Sequence, residues 1–162
     1  MALAPVFNDA QRATLRVLCD TFVPSIQRDP DPDGFWARAA SDLQVADWVE
    51  ATLGALPADT LDPVREFIDG LAMLGFPDAS PEDRERFIHA FMDASQEALG
   101  GIVTFKALTL MMYIGMPDGS GMNPAWAPMG YPGPLSPAPS APKPIRPLAP
   151  EGSEWTLEAD VV

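Results

Sequence analysis

Proline placement limits what this chain can fold into, because each proline fixes φ and removes a backbone donor. Most of the 19 prolines fall between Met116 and Pro150. Ahead of Gly115 the apolar residues recur with helical spacing. Beyond it, proline is too frequent for a helix interior or a central strand. The chain therefore divides into a helical domain over 1–115 and an extended, partly polyproline-like arm over 116–154. Residues 155–162 (WTLEADVV) change character again, with β-branched and apolar side chains that suit a short strand.

Within 1–115 the helix signals are local and specific. Asn8 can cap a helix whose reciprocal capping-box partner is Gln11, and Leu15, Leu18, Cys19 and Phe22 fall on one face of it before Pro24. The run RDPDPDG over 28–34 is a loop. A short helix over 35–41 and another over 45–56 are expected, burying Trp36, Val45, Trp48, Val49 and Leu53. A segment after Pro57 carries Val64, Phe67, Ile68, Leu71 and Leu74 as one stripe and stops at Gly75 and Pro77. Ser80-Pro81-Glu82-Asp83 supplies a capping hydroxyl, a first-turn proline and two carboxylates at the positive end of the helix dipole.

That helix should bury Phe87, Ile88, Phe91 and Ala94, reach Leu99, and break or kink at Gly100-Gly101. The following run, IVTFKALTLMMYI over 102–114, is apolar almost all round, which predicts a helix enclosed by the others. The expected fold is all-α: a compact bundle of five or six helices, then the extended proline-rich arm and the short strand-like segment.

The formal charge of −13 argues against nucleic acid and against anionic membrane surfaces. No basic n-region opens the chain, and the most apolar window, 108–116, is too short to span a bilayer, so no transmembrane segment and a cytoplasmic setting are expected. One cysteine, Cys19, and one histidine, His89, leave no metal-ligand spacing and no internal disulfide. Cys19 in an apolar helical pattern reads as a buried, inert thiol, and His89 as a surface or interhelical polar group. Gly119-Ser120-Gly121 follows no strand and is a weak phosphate cradle. The aromatic residues Trp126, Tyr131 and Trp155 stand out in the arm, since exposed aromatic rings call for a cover. They are candidate docking contacts, unless the arm folds back on the helices.

Two stretches carry a family resemblance. RATLRVLCDTFVPSI (12–26), followed by DPDGFWARAASDL (31–43), resembles the N-terminal helical region of long-chain alcohol oxidase-type members of the glucose–methanol–choline (GMC) oxidoreductases. FKALTLMMYIG (105–115) and NPAWAPMGYPGP (123–134) look like the same family's passage toward its flavin domain, and the Asn-Pro-x-Trp…Gly-Tyr-Pro-Gly-Pro string is the most specific part. A similar module forms the small third subunit of gluconate 2-dehydrogenase-like complexes. The resemblance implies that 155–162 corresponds to the first strand of a flavin-binding domain, ahead of the glycine loop that would hold FAD pyrophosphate. On this reading the chain carries no catalytic, metal or cofactor-binding residue of its own. FAD belongs to a catalytic domain of the same parent chain or to a separate flavoprotein partner. The function implied is that of a non-catalytic N-terminal domain or fragment of an enzyme oxidising an alcohol, long-chain by resemblance, through hydride transfer to flavin. The alternative is a stand-alone small subunit docking onto such a flavoprotein.

Overall fold

The first helix begins where the sequence signal for it is strongest. Asn8 accepts the Gln11 backbone N–H at 2.9 Å, and the Gln11 side chain accepts the Asn8 N–H at 3.0 Å, closing a capping box. In the computed structural model, which describes residues 5–32, 34–117, 121–127, 130, 131 and 133, five α-helices follow in order. They are α1 (Asp9–Phe22), α2 (Val45–Leu53), α3 (Leu61–Met73), α4 (Pro81–Ala94) and α5 (Gln96–Gly115). Short 3₁₀ turns at Ala40–Leu43, Ala58–Thr60 and Phe76–Asp78 join them, and no strand occurs among the described residues. The strand-like stretch 155–162 and most of the proline-rich arm lie outside those residues.

α1 is the hub, touching every other helix. Its Leu15 and Leu18 meet Val45, Val49, Ile68, Leu71, Phe76 and Ile102 in a core closed to solvent. Polar ties fix the surrounding pieces. Gln11 Nε2 donates to both carboxylate oxygens of Asp69, at 3.0 Å each, linking α1 to α3. Glu50 on α2 accepts the backbone N–H groups of Val6 and Phe7 at 3.0 Å each, and Arg65 on α3 donates to the Val6 carbonyl. These bonds hold Phe7 in the core at the chain's front.

The 28–34 loop is built around Asp31, whose carboxylate accepts the N–H groups of Phe35 at 2.9 Å and Ala37 at 3.1 Å. Those bonds compete with helix formation, so the short helix expected over 35–41 does not form; only the Ala40–Leu43 turn does. Trp36 is consequently exposed, with the Arg28 guanidinium over its ring. Trp48 sits on the flank of α2 and is also exposed, because Val45, Ala46, Val49 and Leu53 form the buried face.

One core position and one boundary also differ from the sequence expectation. The α3 stop at Gly75 is as expected, and this glycine takes a left-handed φ of 75°. Its turn exposes Leu74 and swings Phe76 fully into the core instead. The break between the last two helices falls at Ser95, not at Gly100-Gly101. Ser95 is extended, and its hydroxyl accepts the Ala98 N–H at 3.0 Å, so α4 ends at Ala94 and α5 runs unbroken through both glycines. A local cap outcompetes a glycine pair that sits within helical range of the next apolar face.

A direct check follows from that placement. Nothing lies within 4 Å of a methyl added at Gly100, so Gly100→Ala should raise the urea unfolding free energy by about 1 kcal/mol, the helix-propensity difference. Ser95→Ala should lower it by about 1 kcal/mol through loss of the cap. Destabilisation by Gly100→Ala would place the helix break where the glycines are.

Candidate functional site

The last turn of any α-helix leaves carbonyls without intrahelical donors, and α5 satisfies its own through the segment that follows. The Asn123 side-chain amide donates to the Tyr113 and Met116 carbonyls at 2.7 Å each, while its oxygen accepts the Ala125 N–H at 2.7 Å. The Trp126 indole N–H donates to the Ile114 carbonyl at 2.8 Å. The Trp126 carbonyl in turn accepts the Tyr131 N–H at 2.8 Å.

Gly133, with φ of 90°, lies so close that an added Cβ would sit 3.4 Å from the Trp126 ring. Of the Asn-Pro-x-Trp…Gly-Tyr-Pro-Gly string, Asn123 and Trp126, with Tyr131 and Gly133 against the Trp126 ring, thus form a clamp over the C-terminus of α5.

This geometry sorts the three aromatic candidates. Trp126 is only 4% exposed and spends its ring and its N–H on the chain's own helix. Tyr131 stacks edge-on against it at 5.3 Å between centroids, yet keeps 48% of its surface open. Trp155 lies outside the described residues. The arm's start therefore folds back on the bundle, which is one of the two options its aromatic content left open.

The surface that stands without a cover is one that periodicity did not reveal. α5 was expected to be enclosed. It buries Ile102, Phe105, Thr109 and Tyr113 against its neighbours, but the opposite face is open. Val103 is 53% and Met111 64% exposed, with Leu110 and Ile114 exposed on the same stripe. These positions fall at i, i+7, i+8 and i+11, one side of the helix. The four other described helices are too few to enclose it, which is why an all-round apolar helix ends half covered.

α5 is also 20 residues long, so the 108–116 window understated it: by length and composition alone this one helix among those described could cross a membrane. Its buried face nevertheless belongs to the bundle core.

Two hollows flank this stripe. One, of about 220 Å³, lies between Phe22, Ile26, Trp36, Leu110 and Tyr113. The other, of about 570 Å³, runs between α3 and α5 over the stacked rings of Phe67 and Phe105.

The remaining reactive side chains are arranged for structure. Burial pushes the Cys19 thiol up from its ordinary 9.0 to about 11, against the pull of the Thr109 hydroxyl 3.5 Å from its sulfur, with Asp20 adding to the rise. Burial likewise raises the Tyr113 phenol, which donates toward the Phe35 and Arg38 carbonyls. His89 is exposed on α4. Among the described residues no group of three or more His, Cys, Asp or Glu side chains could hold a metal ion.

The described residues contain no strand, and so no strand–glycine loop–helix unit of the kind that cradles a dinucleotide pyrophosphate. No protein-family model, curated protein or solved structure matches this chain.

The clamp and the thiol each make a measurable prediction. Asn123→Ala strips donors from two carbonyls and should cost about 1–3 kcal/mol in urea unfolding. Tyr131→Ala should cost no more than about 1 kcal/mol, the value of its ring contact. Equal losses would mean that the string is not a clamp.

The unfolded chain releases the Cys19 proton near its ordinary value while the folded chain holds it. Stability should therefore fall as pH rises from 9 towards 11. Cys19→Ala should flatten that part of the curve relative to the parent, leaving the Tyr113 contribution.

Proposed function

We propose that this chain is a non-catalytic helical module of a cytoplasmic, FAD-dependent GMC-type oxidoreductase that oxidises an alcohol of the long-chain class by hydride transfer to flavin. The module packs against the flavin-binding part, which is either a domain of the same parent chain or a separate flavoprotein. The observation that carries this reading is the open apolar face of α5: Val103, Leu110, Met111 and Ile114 form a stripe that the bundle itself leaves without a neighbour. Contiguous exposed apolar surface of this kind is typical of a face that another protein covers. The class of that protein comes from the sequence resemblance in 12–43 and 105–134.

The structure also limits how much the resemblance can say. Its most specific string is spent on clamping α5, so those residues speak for a shared fold more directly than for a shared reaction. The stand-alone subunit reading draws support from a different observation. The bundle closes its own core and caps its own helix ends, as a subunit that folds apart from its partner must.

Photocrosslinking from a probe at Met111 tests the proposal in the source cells. The expected product contains this chain joined to a polypeptide with the visible absorbance of bound flavin. Val103→Glu with Leu110→Glu should abolish that product while leaving the helical circular-dichroism signal intact, because a charge in a desolvated apolar contact is strongly unfavourable. A flavin-free partner, or capture that survives the charged stripe, would reject the reading.

A further inference from the structure

The hollow between α3 and α5 combines an aromatic floor with an acidic edge. Phe67 and Phe105 stack at 5.2 Å between centroids, and Phe91 meets Phe67 edge-on. Leu53, Val64 and Leu108 extend the apolar lining. The volume of about 570 Å³ lies within the range of small-molecule pockets, roughly 300–1,000 Å³.

Two glycines shape its wall. After proline, glycine is the poorest residue for a helix interior, yet α5 runs unbroken through Gly100 and Gly101. Both line this hollow. A Cβ added at Gly101 would sit 3.8 Å from the Phe67 ring, so a longer side chain there would reach over the floor. The glycines thus leave the rings open to approach.

The preferred sign of a ligand follows from the charges around the hollow. No lysine, arginine or histidine lines it, whereas Glu66 and Glu97 do. Neither glutamate has an ion-pair partner among the described residues. The neighbouring Arg65 is committed to Asp62 and to the Val6 carbonyl. The N-terminus of α5 also borders the hollow and contributes about half a positive charge. Two carboxylates outweigh that dipole, and the Ser95 hydroxyl already accepts the Ala98 N–H. The Thr104 hydroxyl is spent on the Gly100 carbonyl at 2.8 Å. An anion would meet net repulsion here and a cation net attraction.

We infer that the α3–α5 hollow binds a small organic ammonium ion, with its apolar body on the Phe67–Phe105 stack and its cationic head toward Glu66 and Glu97. Burial of the body supplies the affinity, and the carboxylates supply the charge preference. None of the open-stripe residues Val103, Leu110, Met111 and Ile114 lines the hollow, so this site is separate from the partner assigned to that stripe.

Calorimetric titration of the full chain with three probes of one shape tests this: phenylbutylamine, phenylbutanol and phenylbutyrate. The amine should bind saturably at one site, about fivefold tighter than the alcohol, as two exposed ion pairs would give. The acid should not bind. Glu66→Gln with Glu97→Gln should bring the amine to the alcohol's affinity. Gly101→Leu should remove binding of both while keeping the helical circular-dichroism signal. Equal affinity for the three probes would overturn the charge assignment, and amine binding undiminished in Gly101→Leu would put the probe elsewhere. Absence of amine binding would reject the site outright.

Discussion

The structure depends on covering one helix. α5 is apolar on nearly every side, and exposing all of it to water would forfeit the hydrophobic term that dominates folding. α1, α2 and α4 pack on one of its sides, and α1 makes the arrangement coherent by touching all the other helices. Ile102, Phe105, Thr109 and Tyr113 take the inner positions. Their depth explains why a hydroxyl sits among them: Thr109 donates to the Phe105 carbonyl at 2.8 Å, so the buried oxygen is satisfied within its own helix. What the bundle lacks in number of helices appears as the open stripe on the far side.

The same helix explains the segment after it. A long apolar helix ends with bare carbonyls in a region that is not polar enough to leave them to chance. Asn123 and Trp126 supply three side-chain donors to those carbonyls from a stretch interrupted by prolines. Side-chain donors here add to the backbone donors, which prolines interrupt. This is a physical reason for asparagine and tryptophan to occur between prolines, and it holds whether or not a partner is present.

Features encoded over three or four residues were legible in the sequence. The Asn8–Gln11 capping box, the Ser80-Pro81 helix start and the Gly75 stop all depend on local chemistry, and the structure places each where the sequence expectation had it. Features set by competition were not. Gly100-Gly101 is a stronger break signal than Ser95 on propensity alone, but Ser95 has a cap to offer, and a Cβ added at Gly101 would sit 3.8 Å from the Phe67 ring. Leu74 continues the apolar period of α3, but the left-handed turn at Gly75 gives its place in the core to Phe76. Trp36 and Trp48 read as core because large aromatics usually are, yet the Asp31 loop and the narrow buried face of α2 put both at the surface.

The candidate site was legible only as a composition anomaly. Aromatic residues in a proline-rich arm signalled that something must cover them, and for Trp126 the cover is α5 itself. The open face of α5 gave no comparable signal, because an all-round apolar helix looks the same in sequence whether its remaining neighbour is in the chain or in another protein. Helix count decides between those cases, and it is a property of the whole fold.

An apolar stripe and a carboxylate-edged groove on adjacent sides of one helix make different demands. The stripe has no charges to set register and is satisfied by shape and desolvation, as interface cores are. The groove has Glu66 and Glu97 among its lining residues, and such carboxylates set a charge preference that the stripe lacks. A single helix can therefore present a permissive surface and a selective one side by side.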